Sequence, residues 1–348
     1  MSLDGALAPV VDAASSNPDA APATDAMPIS LAGVSCTTPP PPGAPQPPPL
    51  PAYSGGSCPT LVAGDNAIMS SGAARRFTLV VPAGFDPETE RLPIFFMWHH
   101  IGGDASSMVS NGMAQEAADD MRVLVAIPEK KGDVTLPIAN VDLAWPYMDF
   151  STPARVEQEA VLFDDILACL AAQYPVNEQC VSTVGVSAGA LWTSQLIQRR
   201  SERLASALII SGGIGPTGGF GGFADLRGWG GNPRAIPVLY GWGGSSDTCG
   251  GINFARASDN LGGKLATGGN FVIECVHNCG HAAPPVDPAV GLPILYRFAL
   301  EHPYWLPAGR SPWGETGLPE GSPDWCSIGV ENATPRTGEC PSQQTCPF

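Results

Sequence analysis

Apolar runs of strand length alternate with longer helical segments from about residue 58 to residue 303. The later runs are continuously apolar, which is typical of parallel strands that helices cover on both faces. This alternation predicts an α/β fold with a mainly parallel, doubly wound sheet flanked by helices. We expect strands at 75–82, 92–98, 122–128, 180–186, 206–212, 236–242 and 270–276, and helices at 105–120, 154–174, 189–204, 253–265 and near 288–301.

The two ends of the chain differ from this central domain, 58–303. Residues 1–57 are rich in Ala, Pro, Ser and Asp and include the polyproline stretch 39–51. Such a composition buries too little apolar surface to fold, so we expect a disordered leader or linker, either a stalk or a plain leader. Residues 304–348 hold Pro, Gly, Trp and three cysteines, and we expect an irregular tail packed on the central domain.

The formal net charge is −16, and only 14% of the residues are charged. Nucleic acids and anionic membranes need basic patches, so this balance argues against both as partners. No run of about 18 apolar residues is present, so we expect no membrane span. The negative net charge favours a neutral or polymeric substrate. We also expect the protein to be a monomer.

Ten cysteines occur without a CxxC pair. Disulfides in an oxidising compartment are the expected use, which predicts a secreted or cell-surface protein. The N-terminus lacks a basic region followed by an apolar core, so we expect that a signal peptide has been removed. Cys275, His277, Cys279 and His281 alternate at short spacing, but no second cluster completes a ligand set. We therefore expect no metal and no cofactor.

The pentapeptide Gly185-Val186-Ser187-Ala188-Gly189 lies between a predicted strand and a predicted helix. G-x-S-x-G in that context is typical of the nucleophile elbow of the α/β-hydrolase fold. The alternative interpretation is an ordinary tight turn between a strand and a helix. The small residues at 185 and 189 allow close backbone approach. We predict that Ser187 is a catalytic nucleophile and that the N–H of Ala188 contributes to an oxyanion hole.

A serine hydroxyl needs a base, and in this fold the acid and then the histidine follow the serine along the chain. His281, in a Gly- and Pro-marked loop after the last predicted strand, is the predicted base. His277 lies at the end of that strand, where a packing or capping role is the alternative to a catalytic one. For His302 we expect a position on the surface.

The acid is expected after the preceding strand, where Asp247 lies. Its role would be to hold the imidazole tautomer. Asp225, in a Gly-rich loop after an earlier strand, and Asp259, on a helical surface, are the alternatives. The second oxyanion donor is expected in the loop that follows strand 92–98, from His100 or Ile101.

These motifs resemble the secreted polyhydroxybutyrate depolymerase and feruloyl esterase families of α/β-hydrolases. The resemblance covers roughly residues 58–330 and implies a serine esterase with an α/β-hydrolase catalytic domain at 58–303. Where those families usually have Gly after the first loop histidine, this chain has His100. The similar motifs are WHHIGGDAS, AWPY, VEQEAVLFDDILACLAAQYPVNEQCV, GGSSDTC, CGHAAPP and SPDWC.

The resemblance supports ester hydrolysis more than any single substrate. Polymer-linked esters are the first hypothesis: a hydroxyalkanoate polyester, or feruloyl or acetyl groups on polysaccharide. We expect His99, Trp145 and Trp242 to contact the substrate. An acyltransferase with the same catalytic residues is the second hypothesis, and a catalytically silent surface-binding module is the third.

One disulfide follows from the predicted catalytic pair. Cys249 lies two residues after Asp247, and Cys279 lies two residues before His281. If the acid and base loops lie side by side, these cysteines fall within bridging distance. We predict a Cys249–Cys279 disulfide. The alternatives are a disulfide between Cys249 and Cys275, or a free thiol at Cys249.

Overall fold

The fold is described for residues 30–136, 140–219, 223–286, 288–341 and 346 of a computed structural model, with only the backbone at 288–292. Residues 1–29 of the expected leader lie outside the described residues. The chain from Leu31 onward forms one compact unit.

The strands and helices follow the expected alternation. The strands are β1 Gly64–Ser70, β2 Ala73–Val80, β3 Leu92–Trp98, β4 Leu124–Pro128, β5 Thr135–Leu136, β6 Val141–Asp142, β7 Val176–Val186, β8 Ser206–Ile210, β9 Val238–Trp242, β10 Thr248–Cys249, β11 Ile252–Asn253, β12 Val272–Val276 and β13 Cys326–Ile328. The helices are α1 Ala105–Asn111, α2 Ala114–Met121, α3 Pro153–Gln173, α4 Ala188–Arg200, α5 Phe254–Thr267, α6 Pro288–Leu300 and α7 Pro312–Thr316.

The main sheet has the order β1-β2-β4-β3-β7-β8-β9-β12-β13 within the described part of the chain. The strands from β4 to β12 in that order are parallel, and β1, β2 and β13 join antiparallel at the two edges. The predicted, mainly parallel sheet is therefore confirmed. Strands β1 and β13 were not predicted. The expected helix 105–120 is two helices, because Met113 adopts a left-handed conformation.

Apolar side chains cover both faces of the sheet. One cluster, the α3–α5 face, includes Trp98, Ile209 and Tyr240 and packs against α3, α4 and α5. The other, the α6 face, includes Met97 and Ile210 and packs against α1, α2 and α6. Neighbouring residues of a strand point to opposite faces of the sheet. Trp98 and Ile209 therefore belong to the first cluster, and their neighbours Met97 and Ile210 belong to the second. No helix in the described part of the chain is long and apolar enough to cross a membrane.

Residues 31–57 pack on the domain, so the predicted boundary at residue 57 is wrong. Leu31 is 2% exposed and packs with Trp305 and Leu306. Disulfides join Cys36 to Cys180 and Cys58 to Cys169. The Pro-rich segment forms no core of its own. It is held because covalent links and a few apolar anchors attach it to the domain.

The tail from residue 304 also packs on the domain, and it is only partly irregular. It contains α7 and it contributes β13, which pairs antiparallel with β12. A disulfide joins Cys275 of β12 to Cys326 of β13. The side chains of Trp313 and Trp325 are buried against the α6 face.

His302 is fully buried, contrary to the expected surface position. Its Nδ1 donates to the Phe298 carbonyl at 2.6 Å, and its Nε2 accepts from the Ser311 hydroxyl at 2.6 Å. The Ser311 Oγ accepts in turn from the Trp313 backbone N–H. The ring therefore joins the end of α6 to the start of α7 in its neutral form.

We expect His302 to make the protein less stable in acid. Burial lowers the pKa of His302 from 6.5 to about 4. The unfolded chain binds a proton below pH 6.5 that the folded protein resists, so stability is complete above pH 6.5 and falls towards pH 4. Between pH 6.5 and pH 4 the free energy of unfolding should fall by an amount on the order of 3 kcal/mol. Urea titrations from pH 7.5 to 4 test this: His302→Gln should show a shallower decline than the wild type, and equal declines would contradict it.

Candidate active site

Ser187 lies in a sharp turn between β7 and α4. Its backbone has φ +54°, a left-handed conformation that is strained for a residue with a side chain. A Cβ at Gly185 would lie 2.1 Å from the Gly189 carbonyl oxygen, and a Cβ at Gly189 would lie 2.0 Å from the Trp98 carbonyl oxygen. Glycine is therefore required at both positions, and the turn presents Ser187 at the carboxyl edge of the sheet.

Ser187, His281 and Asp247 form one hydrogen-bonded chain. The Ser187 Oγ lies 2.8 Å from His281 Nε2, and His281 Nδ1 lies 2.7 Å from Asp247 Oδ1. Because the carboxylate can only accept, His281 carries its proton on Nδ1, and its Nε2 accepts from the serine. Asp247 is fully buried, His281 is 8% exposed, and the ring of Phe254 stacks on the imidazole at 4.1 Å.

The second oxygen of Asp247 is held by two residues that the sequence analysis missed. Asp247 Oδ2 accepts from the Ser211 hydroxyl at 2.9 Å and from the Gly243 backbone N–H at 2.8 Å. Ser211 directly follows β8 with φ +49°. A serine at a strand end beside the nucleophile strand was the available signal. These donors fix the carboxylate plane that orients His281.

The alternative residues take other roles. His277 Nδ1 accepts from the Cys279 backbone N–H at 3.2 Å. Asp225 accepts from Thr217 and Gly218 within its own loop. Asp259 is exposed on α5. None of the three is hydrogen-bonded to Ser187 or His281 in the described structure.

The loop after β3 lies against the start of α4, where an oxyanion hole is expected. Ala188 is the first residue of α4, so its N–H has no acceptor within the helix. His100 and Ile101 line the same cavity as Ser187. The His100 ring folds back on its loop, with Nδ1 2.8 Å from the Ile101 carbonyl oxygen. The three predicted donors are thus grouped around the nucleophile turn.

The residues expected to contact the substrate, His99, Trp145 and Trp242, lie away from the cavity beside Ser187. His99 and Trp145 are fully buried, and Trp242 is 6% exposed and stacked on Tyr240. None of the three lines the cavity. Trp145 instead donates from Nε1 to the His99 carbonyl at 2.9 Å. These aromatic side chains pack in the core, and Trp145 holds the loop that carries His100.

The acid and base loops touch, but the predicted Cys249–Cys279 bridge is wrong. Gly280 donates to the Gly243 carbonyl at 3.0 Å, so the loops are adjacent. Cys249 pairs with Cys346 and Cys279 pairs with Cys340, at Cα separations of 5.5 and 5.4 Å. The loop of Asp247 and the loop of His281 are therefore each attached to the C-terminal tail instead of to one another.

Removing the Cys279–Cys340 bridge should impair both stability and turnover. The bridge spans 61 residues, and closing such a loop stabilises by roughly 4 kcal/mol on the chain-entropy account. Replacing both cysteines by Ser should lower the urea midpoint and also kcat, because the base loop loses its attachment. The matched control is the Cys36/Cys180 pair, which should lower the midpoint alone. Equal kcat in both double variants would contradict a role in holding His281.

A cavity of about 720 Å³ opens beside the serine. Its lining is mostly apolar and comes from both faces of the sheet. Residues of the α3–α5 side include Leu143, Tyr147 and Phe254, and residues of the α6 side include Ile210, Ile273 and Trp325. Ser187 and His281 lie between the two sets, at the carboxyl edge. The cavity thus offers an apolar surface beside the hydrogen-bonded serine.

Comparison with known proteins gives the fold. No protein-family model and no curated protein sequence matches this chain. The solved structure of native pOPH is 17% identical with a TM-score of 0.62, over 78% of this chain and 97% of that one. Native sOPH is 18% identical with a TM-score of 0.59, over 80% and 99%. The chain has the α/β-hydrolase fold.

A weaker match is a solved depolymerase structure. LpqC, a poly(3-hydroxybutyrate) depolymerase from Bordetella parapertussis, is 17% identical with a TM-score of 0.44, over 63% of this chain and 85% of that one. The matches to pOPH and sOPH confirm the fold expected from the resemblance.

Proposed function

We propose that this protein is a secreted serine esterase that hydrolyses carboxylic esters through an acyl-enzyme. The observation that carries the proposal is the continuous hydrogen-bonded chain from Ser187 through His281 to the buried Asp247. Five disulfides are typical of extracellular proteins and support secretion. An intact chain of this geometry favours catalysis over a silent binding module.

In the acylation step, Ser187 Oγ attacks the ester carbonyl carbon while its proton passes to His281 Nε2. The imidazolium that forms is stabilised by Asp247. The carbonyl oxygen becomes an oxyanion, which the N–H of Ala188 and an N–H of His100 or Ile101 bind. When the tetrahedral intermediate collapses, the C–O bond breaks and His281 returns its proton to the leaving alcohol.

In the deacylation step, water takes the place of the alcohol. His281 removes one proton from the water, and the hydroxide attacks the acyl carbon. The second tetrahedral intermediate releases the carboxylic acid, and Ser187 Oγ regains the proton from His281. Tight packing of Phe254 on the imidazole, with Ser211 and Gly243 on the carboxylate, keeps the base oriented through both steps.

Polymer-linked esters are the proposed substrate class: a hydroxyalkanoate polyester, or feruloyl or acetyl groups on polysaccharide. The apolar lining of the cavity suits an apolar acyl or alcohol group. The net charge of −16 suits a substrate without negative charge.

A substrate screen tests the proposal. We expect purified protein to hydrolyse short-chain nitrophenyl esters and one of two polymer-type probes, polyhydroxybutyrate film or methyl ferulate. Ser187→Ala, prepared in the same way, is the control for contaminating esterases. Hydrolysis that persists in Ser187→Ala, or no hydrolysis of any probe, would count against the proposed function.

A further inference from the structure

Residues that line the cavity beside Ser187 carry buried polar atoms that have no hydrogen-bond partner. Among the described residues, Tyr147 Oη and His277 Nε2 are such atoms, and both residues line the cavity beside Ser187. Each side chain is 1% exposed. Ser322 Oγ is a third such atom, on a partly exposed residue. A buried donor without a partner costs about 1–3 kcal/mol, so natural proteins rarely keep one without a use.

Both groups are hydrogen-bond donors at neutral pH. Burial raises the pKa of Tyr147 well above its usual range, so the hydroxyl keeps its proton. Burial lowers the pKa of His277 to about 4, so the ring is neutral. Because His277 Nδ1 accepts from the Cys279 N–H, the single ring proton lies on Nε2.

The two donor residues are associated with different faces of the sheet. Tyr147 belongs to the apolar cluster of the α3–α5 face. His277 follows Cys275 by two residues and packs edge-on against Trp325, and both of those residues belong to the α6 face. Ser187 lies at the edge of the sheet between the faces. An ester at Ser187 extends its acyl and alcohol parts in opposite directions from the attacked carbon.

We propose that Tyr147 and His277 are substrate-binding residues that each donate a hydrogen bond to an acceptor oxygen, one in the acyl part and one in the alcohol part of the ester. This inference rests on the proposed function. The substrate class is an ester within a longer oxygenated chain, where a ketone, hydroxyl or further ester oxygen flanks the reacting carbonyl. A hydrocarbon ester leaves both donors unpaired, which is the physical basis of the discrimination.

Three esters of equal length test the proposal: pentyl pentanoate, pentyl 4-oxopentanoate and 4-oxopentyl pentanoate. We expect the wild type to show a kcat/KM about tenfold or more higher for each keto ester than for pentyl pentanoate. A single added hydrogen bond to a buried donor accounts for a change of that size. Equal kcat/KM values for the three esters would overturn the proposal.

Two variants assign the donors. Tyr147→Phe removes only the hydroxyl, and His277→Asn keeps an acceptor near Cys279 N–H while removing the distal N–H. We expect each variant to lose the preference for one keto ester, and a different one in each case. Tyr174→Phe, the same change at a residue that does not line the cavity, should keep both preferences. If a variant keeps the wild-type ratio of kcat/KM for both keto esters relative to pentyl pentanoate, the substituted residue does not bind substrate as proposed.

Stability separates binding from packing. Because the Tyr147 hydroxyl has no partner in the described structure, Tyr147→Phe should not lower Tm, and a lower Tm would indicate a structural role. The same experiment distinguishes failure of the proposed function from failure of this inference. A protein that cleaves none of the three esters does not have the proposed esterase function. A protein that cleaves all three without preference is an esterase for which only this inference fails.

Discussion

Replacing Ser187 by Ala should lower kcat for ester hydrolysis by roughly three or more orders of magnitude, and His281→Ala should do the same. Without the hydroxyl there is no nucleophile, and without Nε2 there is no acceptor for its proton at 2.8 Å. The double variant should be little worse than either single variant, because the two residues act on one proton transfer. The measurement is kcat for a nitrophenyl ester with all four proteins.

Ser110→Ala is the matched control, because Ser110 is exposed on α1 and should leave kcat unchanged. Losses that simply add in the double variant would contradict a shared mechanism. An active His281→Ala together with an inactive His277→Ala would move the base to His277.

Replacing Asp247 by Asn should lower kcat by roughly three to four orders of magnitude, the scale known for this substitution in a serine triad. The carboxylate accepts from His281 on one oxygen and from Ser211 and Gly243 on the other. An amide keeps only one acceptor oxygen, and its NH₂ group favours the wrong imidazole tautomer. KM should change far less than kcat, because the carboxylate does not line the cavity.

Asp259→Asn, the same change on the exposed surface of α5, is the control and should be neutral. Asp225→Asn tests the rival acid. Loss of activity in Asp225→Asn with retention in Asp247→Asn would contradict the assignment.

The core of the fold and the hydrogen-bonded chain from Ser187 to Asp247 were predictable because local patterns determine them. Continuous apolar runs define the parallel strands, and strand ends in such a sheet lie on one edge. The elbow around Ser187 is a short motif, and the order of serine, acid and histidine left few candidates. Ser211 was missed because its one signal, a serine at the end of the strand beside the nucleophile strand, is not distinctive enough to be recognised in the sequence alone.

The parts that could not be predicted depend on where distant segments pack. The polyproline stretch has a composition typical of disorder, yet Cys36 and Leu31 attach that segment to the domain. The tail brings Cys340 and Cys346 to the catalytic loops, and nothing near Cys249 or Cys279 in the sequence specifies those partners. Burial decided the role of Trp145, because a tryptophan beside a site packs in the core as readily as it binds a ligand.

Labelling with a fluorophosphonate tests the central claim most directly, because this reagent reacts with a serine only when a base activates it. The account predicts one label per chain, located by peptide mapping on Ser187, and no label in Ser187→Ala or His281→Ala. A label on another residue, or ester hydrolysis by a protein whose Ser187 stays unlabelled, would contradict it.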